Sequence, residues 1–153
     1  MADEQNIHAG CLLLDDRGVL ITGPAGSGKT TLALALIGNW RASGQFARLV
    51  ADDRVLVRRR GGRVIGCVPE AIAGLAEAHG LGPRPIGFEA EAVIDLVLEL
   101  VAPEAAPRFG EGRTCTIAGC ELPLLVLAER SAQAALTVVA AQLGLPPFSR
   151  REA

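Results

Sequence analysis

Gly23-Pro24-Ala25-Gly26-Ser27-Gly28-Lys29-Thr30 is the stretch on which the fold turns. It matches G-x-x-x-x-G-K-[ST], the glycine-rich loop that wraps a phosphate. Its flanks supply the context that the motif needs. Gly18 to Thr22 reads as a short buried strand, and Thr31 to Ile37 as a helix built from strong helix formers. The glycines let backbone N–H groups turn inward around an anion, and the helix N-terminus adds partial positive charge. Lys29 is expected to reach the β- and γ-phosphates of a nucleotide, with the Thr30 hydroxyl on Mg²⁺. Gly23 to Thr30, together with Thr31, are the candidate nucleotide-binding residues.

A contrast within the chain sharpens this reading. Of 15 basic residues, 14 are arginine, and Lys29 is the single lysine. A compact, flexible ammonium suits a phosphate as a point charge. The plainer alternative is a glycine-rich turn that binds nothing.

The 153 residues suit one domain with a real core, and residues 1–153 are expected to form a single unit. Half the residues are hydrophobic, which excludes a disordered chain. Four Phe, one Trp and no Tyr leave little with which to stack single-stranded nucleic acid. A net charge of −2 gives no general pull toward nucleic acid or an anionic membrane. No apolar run is long enough to span a bilayer. Cys11, Cys67, Cys115 and Cys120 lack zinc-finger spacing and read as reduced thiols of a cytoplasmic protein, most of them in the core.

Outward from the loop, Met1 to Asn6 is polar and expected to fray. Ile7 to Leu14 is apolar and extended, Asp15 to Gly18 turns, and the resulting hairpin delivers the chain to the phosphate loop. His8 opens that first strand, where a lone histidine is commonly a surface residue. Arg48 to Asp53 is a short apolar strand ending in two carboxylates, Asp52 and Asp53. Strand ends in open α/β sheets carry ligands. A carboxylate there can hold Mg²⁺ or take a proton, but Asp-Asp is also an ordinary solvated turn. Arg54 to Val68 reads as a hairpin around Gly61-Gly62, with arginines crowding its tip. Glu70 to Ala76 looks helical. The segment from Gly80 to Pro85 looks like a mobile loop able to cover the site. Ala92 to Val101 is a strong strand, Thr114 to Leu127 another hairpin, and Glu129 to Leu143 a helix.

The ordered set resembles the C-terminal catalytic domain of HPr kinase/phosphorylase. The resemblance rests on His8-Ala9-Gly10, the phosphate loop, Val50-Ala51-Asp52-Asp53, and Glu77 before Gly80-Leu81-Gly82. It covers roughly Ile7 to Leu100. It implies an α/β P-loop nucleotide-binding domain, with a mixed sheet and helices, like the nucleotide domain of phosphoenolpyruvate carboxykinase. It also implies ATP-dependent phosphorylation of a serine of the phosphocarrier HPr, and phosphorolysis in reverse, within regulation of the phosphotransferase system. By carry-over, Lys29 holds phosphates, Thr30 and Glu77 hold Mg²⁺, Asp53 accepts the proton with Asp52 beside it, and His8 assists. The family's assembly implies a homo-oligomer, a hexamer.

The chain departs from the family pattern at His79, where the family has arginine, and lacks a Pro-Gly-Arg-Asn segment after the last strands. It looks like a short form without the family's N-terminal domain. Two alternatives stay open at this point: a nucleotide-binding regulator without protein kinase activity, and a small-molecule P-loop kinase.

Overall fold

The computed structural model describes residues 3–109, 112–145 and 147–149. In chain order the strands are Gln5–Ile7 (β1), Ala9–Leu14 (β2) and Arg17–Thr22 (β3), followed by helix Lys29–Ala42 (α1). Then come Ala47–Ala51 (β4), Val55–Arg60 (β5), Arg63–Cys67 (β6), Leu75–Ala78 (β7), Gly82–Pro85 (β8) and Glu91–Val101 (β9). Thr114–Ile117 (β10), Cys120–Ala128 (β11) and helix Ala132–Leu143 (α2) complete the chain. The result is a mixed α/β fold, as the sequence suggests.

The strand that feeds the phosphate loop, β3, lies at the heart of the sheet. It pairs antiparallel with β2 and parallel with β9. The long β9 serves three neighbours: its first half pairs with β6, and its second half runs parallel to β11. Side chains alternate across these strands. Val19, Ile21, Leu96, Leu98 and Leu100 pack under α1 and α2, while Leu20, Ile94 and Val97 face a second core formed with β5 and β6. Burial on both faces explains why β9 reads as a nearly unbroken apolar run.

Close approach of β3 to β9 requires glycine at one point. A Cβ on Gly18 would lie 2.0 Å from the Val93 carbonyl oxygen. The register between the two strands also shifts between Gly18 and Val19.

Three expectations need correction. Met1 and Ala2 lie outside the described residues and Asp3 and Glu4 belong to no strand, but Gln5 and Asn6 are not a frayed start: with Ile7 they pair with Val57 to Val55. That pairing turns His8 toward the site. The segment from Glu70 is not helical. It makes one 3-10 turn, Glu70–Ile72, and then strand β7. Gly74, at φ +73 and packed against Phe88, ends the turn. The glycine- and proline-rich segment after it is strand β8, paired with β7, rather than an irregular loop. The prolines at 83 and 85 are tolerated because this two-stranded sheet leaves β8 with a free edge.

The arginine-rich hairpin forms as expected but largely answers its own charge. Arg58 reaches Glu4 and Glu91, Arg60 reaches Glu91, and Arg63 reaches Asp95. The four cysteines are free thiols. Only Cys11 is fully buried; the others are half-buried, which corrects the expectation that most are core residues. Among the described residues no helix is long and apolar enough to cross a membrane.

Candidate active site at the phosphate loop

The loop leaves β3 at Thr22 and enters α1 at Lys29, so strand, loop and helix follow without a gap. Gly28 caps the helix at φ +93, a conformation that a side chain would strain. Lys29 is the second link. It is 8% exposed, and its Nζ donates to the carbonyls of Gly23 at 2.8 Å and Pro24 at 3.0 Å. Among the described residues no carboxylate pairs with it. A buried ammonium held only by carbonyl oxygens has one unsatisfied donor and an uncompensated charge. Both call for an anion. Ser27 Oγ is also buried without a hydrogen-bond partner in the same loop.

The two aspartates part company. Thr30 Oγ1 donates to Asp52 Oδ1 at 2.7 Å, and the backbone N–H of Glu77 donates to Asp52 Oδ2 at 2.8 Å. Asp52 thus ties the start of α1 to the β7–β8 hairpin. Asp53 turns the other way. Its Oδ1 lies 2.6 Å from His8 Nε2, and its side chain is 66% exposed. Strand alternation does not explain the division, because β4 ends at Ala51, short of the strand end expected at Asp53. Asp53 instead diverges because it sits at φ +73, in the left-handed region, with its carbonyl accepting from the Ala9 N–H.

A cavity of about 590 Å³ joins these groups. His8, Lys29, Thr30, Asp53 and Glu77 all line it, beside Ala25, Gly26, Gly28 and Thr31. Pro24 and Ser27 serve the loop's shape instead: Pro24 accepts from Lys29 and from the Ser27 N–H. Gly23 does the same through its carbonyl, and a Cβ there would meet Ser27 Oγ at 2.8 Å. Asp52 lies behind the wall, holding Thr30. The β7–β8 hairpin contributes Glu77 and His79, from β7 and the turn after it, whereas the segment from Gly80 to Pro85 that was expected to cover the site supplies none of the lining residues.

Sequence reading missed Arg130. It borders the cavity, its backbone N–H donates to the Ser27 carbonyl at 3.0 Å, and its φ is +53. The signal was available. Arg130 follows β11, which runs parallel to β9 and ends on the same edge as the phosphate loop, where ligands gather. The expectation of helix from Glu129 hid it; α2 starts at Ala132.

Residues 1–111 match the family described as the HPr serine kinase C-terminal domain. A protein of Clostridium tetani named HPr kinase/phosphorylase is 38% identical over 82 residues, covering 54% of this chain and 25% of its own. Its namesake in Alkaliphilus metalliredigens is 36% identical over 91 residues, covering 54% and 28%. The chain therefore spans about a quarter of the length of the curated relatives it matches. Among solved structures, the Hpr(Ser) kinase/phosphatase from Coxiella burnetii superposes with a TM-score of 0.77 at 29% identity, over 91% of this chain and 96% of that one.

Proposed function

The chain belongs to the HPr serine kinase C-terminal domain family, and from that premise we propose that it moves a phosphoryl group between ATP and a serine of an HPr-type phosphocarrier. In reverse, inorganic phosphate takes the phosphoryl group from the serine, giving pyrophosphate. The observation that carries this reading is the shared cavity. A phosphate-holding lysine and a carboxylate–imidazole pair face one space of about 590 Å³.

The residues fit magnesium and nucleotide. Lys29 would offer an uncompensated charge to the β- and γ-phosphates, and loop N–H groups not engaged within the loop, as that of Ser27 is by Pro24, would donate to them. Thr30 Oγ1 and the Glu77 carboxylate would be the oxygen donors for Mg²⁺, directly or through water, with Asp52 behind them positioning Thr30. A metal held there would supply charge neutralisation at the phosphate oxygens.

Asp53 works at the other end of the cavity. Its carboxylate accepts the proton of the serine hydroxyl as the serine oxygen bonds to the γ-phosphorus and the β–γ bridging bond breaks, releasing ADP. In phosphorolysis the protonated Asp53 returns that proton to the leaving serine oxygen. His8, at 2.6 Å from Asp53, orients the carboxylate and shares the proton. Exposure of Asp53 suits a protein substrate, which must reach it from outside.

The test is mass spectrometry of HPr after incubation with this protein, ATP and Mg²⁺, then after addition of phosphate. We expect one phosphoryl group on serine, removed with formation of pyrophosphate. A second reading is a nucleotide-binding regulator, favoured by His79, which brings an imidazole to the cavity where the resemblance calls for arginine. ATP binding without transfer to HPr would select it.

A further inference from the structure

A second, smaller cavity opens beside the phosphate loop, at Gly28. Its volume is about 150 Å³. Leu32 of α1, Leu100 of β9, Ala128 of β11, and Ala132 and Ala135 of α2 form its walls. The wall is mostly hydrocarbon because α2 presents alanines at its first turns. Small side chains there leave the space between α2 and α1 unfilled.

Three residues belong to both cavities: Gly28, Thr31 and Arg130. The two spaces therefore meet at the start of α1, with Arg130 at the junction. Arg130 is fixed in backbone but not in side chain. Its N–H is held by the Ser27 carbonyl, and its φ of +53 is costly for a non-glycine residue. Its guanidinium is 69% exposed and rests on Glu129 at 2.7 Å. That pair is available to rearrange toward a stronger anion.

We propose that the small cavity takes the purine base of a nucleotide whose phosphates lie on Lys29, with Arg130 at the joint contacting the phosphates. This rests on the reading that the phosphate loop binds a nucleoside polyphosphate. Such a ligand has a flat, largely apolar ring at one end and several charges at the other. The paired cavities have the same order: hydrocarbon walls, then a guanidinium, then an ammonium. Ligand sites are typically apolar clefts with few polar groups, and this one fits that rule. Ser131 Oγ is engaged with the Glu129 carbonyl, so the wall offers few hydrogen-bond partners to a base edge. Sites of that kind discriminate weakly. ATP and GTP should bind within about tenfold of each other.

The experiment compares ATP with inorganic tripolyphosphate by calorimetry on the full chain. The wild type should bind ATP more tightly. Ala132→Phe, which fills the cavity, should weaken ATP by about tenfold or more, to the level of tripolyphosphate, and leave tripolyphosphate unchanged. Thermal melting checks that the variant folds. Photolabelling of the wild type with 8-azido-ATP reads the same question without a variant: label is expected on the segments around Leu100 and from Ala128 to Ala135. Unchanged ATP affinity in a folded Ala132→Phe, or label confined to other segments, overturns the base site. A wild type that binds neither ATP nor tripolyphosphate overturns the phosphate reading, and the base site with it.

Discussion

Asp52 accepts one hydrogen bond on each carboxylate oxygen, from the Thr30 hydroxyl at 2.7 Å and from the Glu77 N–H at 2.8 Å. Asn at 52 keeps the shape but offers only one acceptor oxygen. Asp52→Asn should therefore orient its amide to serve one donor and abandon the other, at about 1–3 kcal/mol for the group left unpaired. Hydrogen exchange at the Glu77 amide reads this directly. Faster exchange there, with weaker Mg²⁺ dependence of phosphate transfer, is the expected pair of results. Unchanged protection would show that Asp52 does not hold the hairpin.

Asp53 has a different task. Asp53→Asn retains a hydrogen bond to His8 but cannot accept a proton. Transfer to HPr and its reversal should both fall by about 10²–10⁴-fold, while ATP affinity stays near wild type. Full activity in both directions would move the proton-acceptor role to Asp52.

Lys29→Ala should abolish transfer and weaken nucleotide binding while leaving the fold intact. Its ammonium contacts only loop carbonyls, so removal frees acceptors that water or rearranged amides can satisfy. Circular dichroism with an ATP titration separates the two effects. Unimpaired turnover would remove the lysine from the mechanism.

Gly18 tests the sheet rather than the site. A methyl group 2.0 Å from the Val93 carbonyl must push β3 and β9 apart. Gly18→Ala should cost more than about 2 kcal/mol, lowering the melting temperature by several degrees. A melting temperature equal to wild type would mean that the two strands are not so close.

Cys11 reports on burial. Its side chain is wholly inaccessible, and burial, with a smaller contribution from Cys67, pushes the thiol up to about 12. The thiolate is the reactive form. Near neutral pH Cys11 should resist iodoacetamide in the folded protein and react once urea unfolds it. Peptide mapping with and without urea gives the answer, and rapid labelling of the native protein would contradict the packing of β2.

The phosphate loop was legible because local sequence dictates it: glycines, one lysine and a run of helix formers sit side by side. The arginine hairpin and β9 were legible for a similar reason, since apolar alternation and Gly61-Gly62 specify them within a few residues. What escaped depends on distant partners. Leu75 to Ala78 has helix-forming residues, yet Gly74 breaks the turn and β8 offers a strand to pair with. Gln5 and Asn6 are polar, and only β5, some fifty residues on, makes them part of a strand. Arg130 looked like the first turn of a helix. Its place follows from β11 running beside β9, a pairing that no short window of sequence reveals.

The bridge made by Asp52 also gives the hairpin a thermodynamic address. The Thr30 hydroxyl and the Glu77 N–H compete for nothing; they share one carboxylate. Linkage is reciprocal. If Thr30 and Asp52 hold a cation, as proposed, then any change that cation binding makes in the free energy of hairpin placement equals the change in cation affinity made by a protein pressing on the hairpin.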